Sequence, residues 1–150
     1  EEGIGKLGIL KSFPGLISVS LSNNKLTSDL RGLSTCTNLE ELALDNNQIV
    51  SAESLTSLKS LKSLDLAHNH LSSLDALQSL TSLTALSLEN NSLTTLGAVS
   101  SLGSLVELYG SNNKMGDLDQ EITHLKMLTR MQVLDLSGNP LSSDDMYRSF

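Results

Sequence analysis

The chain has 150 residues, a formal net charge of -7 and 39% hydrophobic residues, which suits one domain with a core. Aromatic residues reach only 3%, so leucine must fill that core. No apolar run approaches the ~20 residues that cross a bilayer, and Cys36, the only cysteine, cannot form an intramolecular disulfide. We therefore expect a cytoplasmic protein, with a ciliary, cytoskeletal or nuclear setting also open.

Residues 1–15 carry an apolar side chain at every third position. The series runs through Ile4, Leu7, Leu10, Phe13 and Leu16. This spacing matches the three-residue turn of a 3₁₀ segment better than the 3.6 residues of an α-helix. We interpret residues 1–15 as a partial repeat whose strand is missing, and the chain as a fragment of a longer protein.

Residues 16–141 repeat one pattern, LxxLxLxxNxL, six times. Its clearest copy consists of Leu61, Leu64, Leu66, Asn69 and Leu71. The asparagines of the six copies are separated by 23, 22, 22, 22 and 26 residues, and they are Asn24, Asn47, Asn69, Asn91, Asn113 and Asn139. A period of this length predicts units of one strand and one return arm, each stacked on its neighbours.

Each repeat contributes two predicted features, a short strand and a sharp turn. Leu64 and Leu66 alternate and so point to the same side of a strand, which pairs in parallel with the strand of the next repeat. Asn69 follows at the turn, where its amide can satisfy buried backbone groups. We expect the six asparagines to form a structural ladder. A neighbour such as Asn90 should be exposed and structurally dispensable.

The return arms are predicted to be 3₁₀ segments except in the fifth repeat. There Leu118, Ile122, Leu125 and Leu128 fall at helical spacing, and Asp117 resembles a helix N-cap. These residues predict one α-helix near 118–130. Gly110 also replaces a buried leucine in this repeat, which implies either a small void or a closer backbone approach.

Residues 142–150 are interpreted as the start of a C-terminal cap. Asp144 and Asp145 are followed there by Met146, Tyr147, Arg148 and Phe150, which resembles a capped helix that stops after two turns. Residues 1–150 would then form a single domain.

The repeats resemble leucine-rich repeats of the short, 22-residue class, from which the leucine-rich regulatory subunit of protein phosphatase one is built. The ending Val133–Pro140, followed by Tyr147 and Arg148, resembles the capping repeat of those proteins. The resemblance implies an α/β solenoid, a horseshoe with a parallel concave sheet. It also implies binding of protein partners. It says little about which partner, because proteins of this fold share a mode of binding and little else.

The residues between the buried leucines are predicted to face the concave side. Tyr109 is the only aromatic residue among them and His68 lies at their rim. Six are acidic and none is basic: Glu41, Asp45, Asp65, Glu89, Glu107 and Asp135. One interpretation is a solvated surface that serves solubility. The other is a docking face for a basic or mixed protein surface, with Tyr109 as an anchor.

Catalytic and metal sites are not predicted. Asp65, His68 and Ser87 could be drawn as a triad, but no strand-to-helix elbow or oxyanion pocket accompanies them. His68 and His70 flank Asn69 without a third metal ligand. An acidic face disfavours nucleic acid, and we expect no enzyme activity, cofactor, membrane or small-molecule partner.

Two functions remain open at this point. The first is an intracellular protein–protein interaction module. The alternative is a scaffolding domain of a larger enzyme or of a ciliary or cytoskeletal assembly protein, with the chemistry outside this segment.

Overall fold

The computed structural model describes residues 7–143, which contain six short parallel strands. The strands lie side by side in chain order in a single sheet. They are β1 (Ser18–Ser20), β2 (Glu41–Ala43), β3 (Ser63–Asp65), β4 (Ala85–Ser87), β5 (Glu107–Tyr109) and β6 (Val133–Asp135). Their central residues stay in register from Val19 through Leu42 and Leu64 to Leu134. The predicted horseshoe with a parallel concave sheet is confirmed.

The return arms are short 3₁₀ segments, as the three-residue spacing predicts. They are Gly8–Ser12, Arg31–Leu33, Glu53–Leu55, Asp75–Ser79, Gly97–Ser101 and Pro140–Ser143. They are stabilised by hydrogen bonds from a backbone N–H to the carbonyl three residues earlier, for example from Leu55 to Ala52 (2.9 Å).

The fifth repeat carries an α-helix, α1 (Leu118–Leu125). The Asp117 carboxylate caps it by accepting the backbone N–H of Gln120 at 3.0 Å. The predicted extent, 118–130, is wrong at its far end. The N–H of Leu128 bonds to the carbonyl of Leu125, three residues back (2.9 Å), so the chain tightens into turns there.

Leucine fills the space between the sheet and the arms. Inward-pointing leucines such as Leu44, Leu66 and Leu88 are fully buried, and Cys36 is buried among them. Truncating one buried leucine to alanine costs about 2–5 kcal/mol in protein cores. The core therefore depends on the leucines of every repeat.

The predicted asparagine ladder links successive repeats. Asn69 accepts the N–H of Ile49 in the preceding repeat (2.9 Å). It donates to the carbonyls of Leu44 (3.0 Å) and Leu66 (3.1 Å). Asn47, Asn91, Asn113 and Asn139 are buried and bonded in the same way. Asn24 is exposed and donates to carbonyls of its own repeat.

The residue before each ladder asparagine adopts left-handed backbone. Its φ lies between +54° and +58° at Asn23, Asn46, His68, Asn90 and Asn112, and it is +70° at Gly138. Non-glycine residues seldom adopt this conformation, and asparagine tolerates it better than most. This conformation argues against the expectation that Asn90 is structurally dispensable, and Asn90 is only partly exposed.

The space opposite Gly110 is occupied. A Cβ at this position would lie 3.2 Å from Cδ2 of Leu136 and 3.5 Å from Cε of Met115. Neighbouring side chains therefore fill the space that a void would leave, and the nearest backbone atom, the carbonyl oxygen of Asp135, lies at an ordinary contact distance of 3.7 Å.

Helix α1 also buries a charged residue that the sequence pattern did not single out. Glu121 is fully buried, and its Oε2 accepts the N–H of Leu96 at 2.8 Å. The Ser54 hydroxyl does the same for the N–H of Leu30, between the second and third arms (3.3 Å). A side-chain acceptor thus reaches back to the preceding arm at both places.

Within residues 7–143 no helix has both the length and the hydropathy needed to span a bilayer. The interpretation of residues 142–150 as the start of a cap falls largely outside the described residues, as does Ile4 of the first arm.

Candidate functional site

The concave face consists of three outward-pointing residues per repeat: the residues before, between and after the two inward positions of each strand. By number they are 18, 20 and 22; 41, 43 and 45; 63, 65 and 67; 85, 87 and 89; 107, 109 and 111; and 133, 135 and 137. Parallel strands lie about 4.8 Å apart. Residues of neighbouring repeats therefore stand side by side on this face.

The charge on this face is of one sign. The first repeat contributes three neutral residues, Ser18, Ser20 and Ser22. The six predicted carboxylates belong to the repeats of β2 to β6. No lysine or arginine is among the eighteen residues. The two ion pairs found within residues 7–143 lie outside the face: Arg31 with Asp29 (2.7 Å) and Lys62 with Glu40 (2.8 Å). The carboxylates of the face are therefore not neutralised by a neighbouring cation.

Asp45 and Asp65 stand on adjacent repeats in opposite environments. Hydrogen bonds from Ser22, and to a lesser extent from Asn46 (2.8 Å), lower the pKa of Asp45 below its usual value. Burial raises the pKa of Asp65, and the nearby charge of Asp45 adds to that rise. The N–H of Ala67 donates to Asp65 at 2.9 Å and opposes it. Its surroundings therefore destabilise the charged form of Asp65, whereas those of Asp45 stabilise the charged form.

Tyr109 lies among three further carboxylates of the concave face, those of Glu107, Glu89 and Asp135. It is half-buried on β5, and its hydroxyl donates to Oε2 of Glu107 at 3.2 Å. Burial raises the pKa of Tyr109, and the charges of Glu107, Glu89 and Asp135 raise it further. Three carboxylates from three repeats therefore act on one aromatic ring.

The remaining predicted site residues lie on the face or at its edge and do not form one cluster. Glu41 is exposed on β2. His68 is exposed at the rim, where its Nε2 lies 3.3 Å from the side-chain nitrogen of Asn90. Asp135 accepts both the N–H (3.0 Å) and the hydroxyl (2.7 Å) of Ser137. The site is a broad surface.

Two properties of the face were missed by sequence reasoning. Ala67 and Ser111 lie at outward positions yet are buried. The residues that follow them, His68 and Asn112, adopt left-handed backbone, which turns the chain at the edge of the face. The asparagine doublets Asn46-Asn47, Asn90-Asn91 and Asn112-Asn113 were the available signal, because asparagine favours left-handed backbone.

Within residues 7–143 no group of three or more histidine, cysteine, aspartate or glutamate side chains is placed to hold a metal ion. Asp65 and His68 form no ion pair within the distance of a salt bridge. The carboxylate of Asp65 accepts the N–H of Ala67 (2.9 Å) and interacts with the Ser87 side chain, and the charge of His68 acts on it from a longer distance.

Two family models match the sequence. One, described as leucine rich repeat, covers residues 38–93, and the other, described as leucine rich repeats in two copies, covers residues 14–59. Together with the repeated strand, turn and arm, these matches identify the chain as a leucine-rich repeat protein. Leucine-rich repeat domains typically serve as binding scaffolds and commonly mediate protein–protein interactions.

Solved structures give the same fold. The chain is similar to internalin F of Listeria monocytogenes, with 24% identity, a TM-score of 0.76 and coverage of 92% of this chain and 49% of that chain. Internalin C2 of the same organism gives 26% identity, a TM-score of 0.71 and coverage of 91% and 68%.

A leucine-rich repeat protein of Leptospira interrogans gives 28% identity, a TM-score of 0.81 and coverage of 93% and 36%. The chain thus spans about half of the internalin F structure and little more than a third of the Leptospira structure. Comparison with curated protein sequences gives no match.

Proposed function

We propose that this leucine-rich repeat protein is a protein–protein interaction module that binds a basic or mixed protein surface on its concave face. One observation carries the proposal: six carboxylates share this face with no lysine or arginine. A partner that presents cations would find an attractive potential over the repeats of β2 to β6.

The main competing interpretation is a solvated surface. The chain has a net charge of -7, and acidic surfaces often serve solubility alone. Two features favour docking. Asp65 is half-buried with a raised pKa, so its charge is held at a cost that solubility does not require. Tyr109 places an aromatic ring among the carboxylates, and tyrosine is enriched among the residues that anchor interfaces.

The proposal is tested by association kinetics with a partner purified on the wild-type protein. The double variant Asp65→Lys, Glu89→Lys should slow association and weaken its salt dependence, because it removes electrostatic steering. Tyr109→Ala should speed dissociation at a cost of about 2 kcal/mol if the tyrosine anchors the interface. None of these changes removes a buried leucine, so circular dichroism should be unchanged.

Lys59→Glu is the control, because Lys59 is exposed and lies outside the concave face, four residues after the arm Glu53–Leu55. It should leave binding intact. An affinity that responds to Lys59 and ignores Asp65, Glu89 and Tyr109 would place the site on the arms and overturn the proposal.

We also propose that the repeats belong to the short 22-residue class to which the sequence bears its resemblance. The aligned residues Leu42, Leu64, Leu86 and Leu108, each 22 residues after the last, support that assignment. A cytoplasmic setting likewise stays a prediction, which localisation of the tagged protein would test.

A further inference from the structure

We propose that Tyr109 and the carboxylates of Glu89 and Glu107 form a subsite for one arginine side chain of the partner protein. The inference rests on the proposed function, because it concerns the same concave face. The proposed function did not specify which residue type of the partner binds, or where on the face it binds; the subsite specifies both.

The surroundings of Tyr109 leave room for a side chain beside its ring. In the sheet register Tyr109 pairs with Ser87 of β4, and Glu107 pairs with Ala85. Both β4 residues have shorter side chains than Glu107 and Tyr109, and from this difference we infer a shallow depression over β4. A long side chain from a partner could lie in this depression against the ring.

The charges around that depression favour a cation. The carboxylates of Glu107, Glu89 and Asp135 all act on the Tyr109 hydroxyl. Asp135 is already engaged by Ser137. Within residues 7–143 the Glu89 carboxylate shows no hydrogen bond and no ion pair, so it is free to accept from a partner.

The geometry favours arginine over lysine. The Tyr109 hydroxyl is engaged by Glu107 (3.2 Å), which holds the ring and leaves its face as the surface for recognition. A planar guanidinium can stack on that face and donate to a carboxylate through its fork at the same time. An ammonium is a compact, strongly hydrated charge and cannot stack in that way.

The experiment uses two defined probes, hexa-arginine and hexa-lysine peptides, titrated into the ¹⁵N-labelled protein at fixed ionic strength. Hexa-arginine should bind more tightly, by up to about fivefold, because a lysine ammonium gains less from the ring than a stacked guanidinium does. Its largest amide shifts should fall on Ser87, Tyr109 and the residues beside them.

Variants distinguish the contribution of the Tyr109 ring to binding from that of the Glu89 carboxylate. Tyr109→Phe should keep the preference for arginine, and Tyr109→Leu should abolish it. Glu89→Gln should weaken hexa-arginine binding more than Glu53→Gln does. The two glutamate variants have the same net charge, but Glu53 is exposed on a return arm.

Equal binding of the two peptides, unaffected by Tyr109→Leu but weakened by Asp65→Lys, would overturn the arginine subsite and leave the proposed function standing. Binding of neither peptide to the concave face would overturn both. Retention of the arginine preference in Tyr109→Leu would also overturn the subsite, because the preference would then arise elsewhere.

Discussion

Asn91 accepts the backbone N–H of Leu71, twenty residues earlier in the chain, at 2.9 Å. The same side chain donates to the carbonyls of Leu66 (2.9 Å) and Leu88 (3.0 Å). One amide thus satisfies buried backbone groups of two repeats at once. An unpaired buried group costs about 1–3 kcal/mol, so the asparagine is an energetic link between repeats as well as a turn residue.

We therefore expect Asn69→Ala and Asn91→Ala each to lower the free energy of unfolding by about 1–3 kcal/mol, because alanine leaves those groups unpaired. Urea unfolding followed by circular dichroism measures the loss. Asn24→Ala is the matched control. Asn24 is exposed, so water replaces its hydrogen bonds and the loss should be smaller. Equal losses at the three positions would contradict the role assigned to burial.

The left-handed backbone of the residue before each ladder asparagine leads to a separate prediction. Asn90 has a φ of +55°, a conformation that disfavours a residue with an ordinary Cβ by about 1 kcal/mol. Asn90→Ala should therefore destabilise the fold by about that amount, whereas Asn90→Gly should be close to neutral in a thermal melt. Identical melting temperatures for the two variants would show that backbone conformation does not decide the choice of residue here.

Restoring the repeat consensus at Gly110 should be harmful. Leu136 and Met115 already fill the space that a side chain would enter, so Gly110→Leu should cost about 1–3 kcal/mol through overpacking. Gly103→Ala serves as the control for adding a side chain, because nothing lies within 4 Å of its Cβ position. A Gly110→Leu variant at least as stable as the wild type would mean that the core can rearrange around the added leucine.

The two aspartates of the concave face should respond to pH in opposite directions. The pKa of Asp65 is raised, so its stabilising contribution is present below the usual value of 3.8 and is lost as pH rises through the raised value. Asp65→Asn should therefore increase the free energy of unfolding at neutral pH. An asparagine oxygen can still accept the N–H of Ala67.

The pKa of Asp45 is lowered, so its contribution is present above 3.8 and is lost as pH falls through the lowered value. Asp45→Asn should decrease the free energy of unfolding at neutral pH. Denaturant unfolding across the acid range measures both variants. A change of the same sign at both sites would contradict the assigned environments.

The repeat and its asparagine were predictable from the sequence because their period is long and regular. Leu64, Leu66 and Asn69 recur at fixed spacing, and spacing alone fixes which side chains face the core. The start of helix α1 was also predictable, since Asp117 is a strong cap. Its end was not, because Leu128 continues the helical spacing and the three-residue spacing of the other arms equally well.

The concave face was predictable as a set of residues, and its electrostatics were not. The pattern placed Asp45 and Asp65 on the same face, but burial and the hydrogen bond from Ser22 separate their pKa values. Those effects depend on contacts between residues more than twenty positions apart in the chain. The burial of Glu121 is of the same kind, because its partner Leu96 lies on another arm.

The direction of the asparagine contacts bears on how the protein is made. Asn47, Asn69, Asn91, Asn113 and Asn139 each accept an N–H from the repeat before their own. A repeat leaving the ribosome therefore stays incompletely bonded until the following asparagine has also emerged. Folding during synthesis should thus lag emergence from the ribosome by about one repeat, and ribosome-bound chains from which Leu71 but not Asn91 has emerged should leave the Leu71 region open to protease.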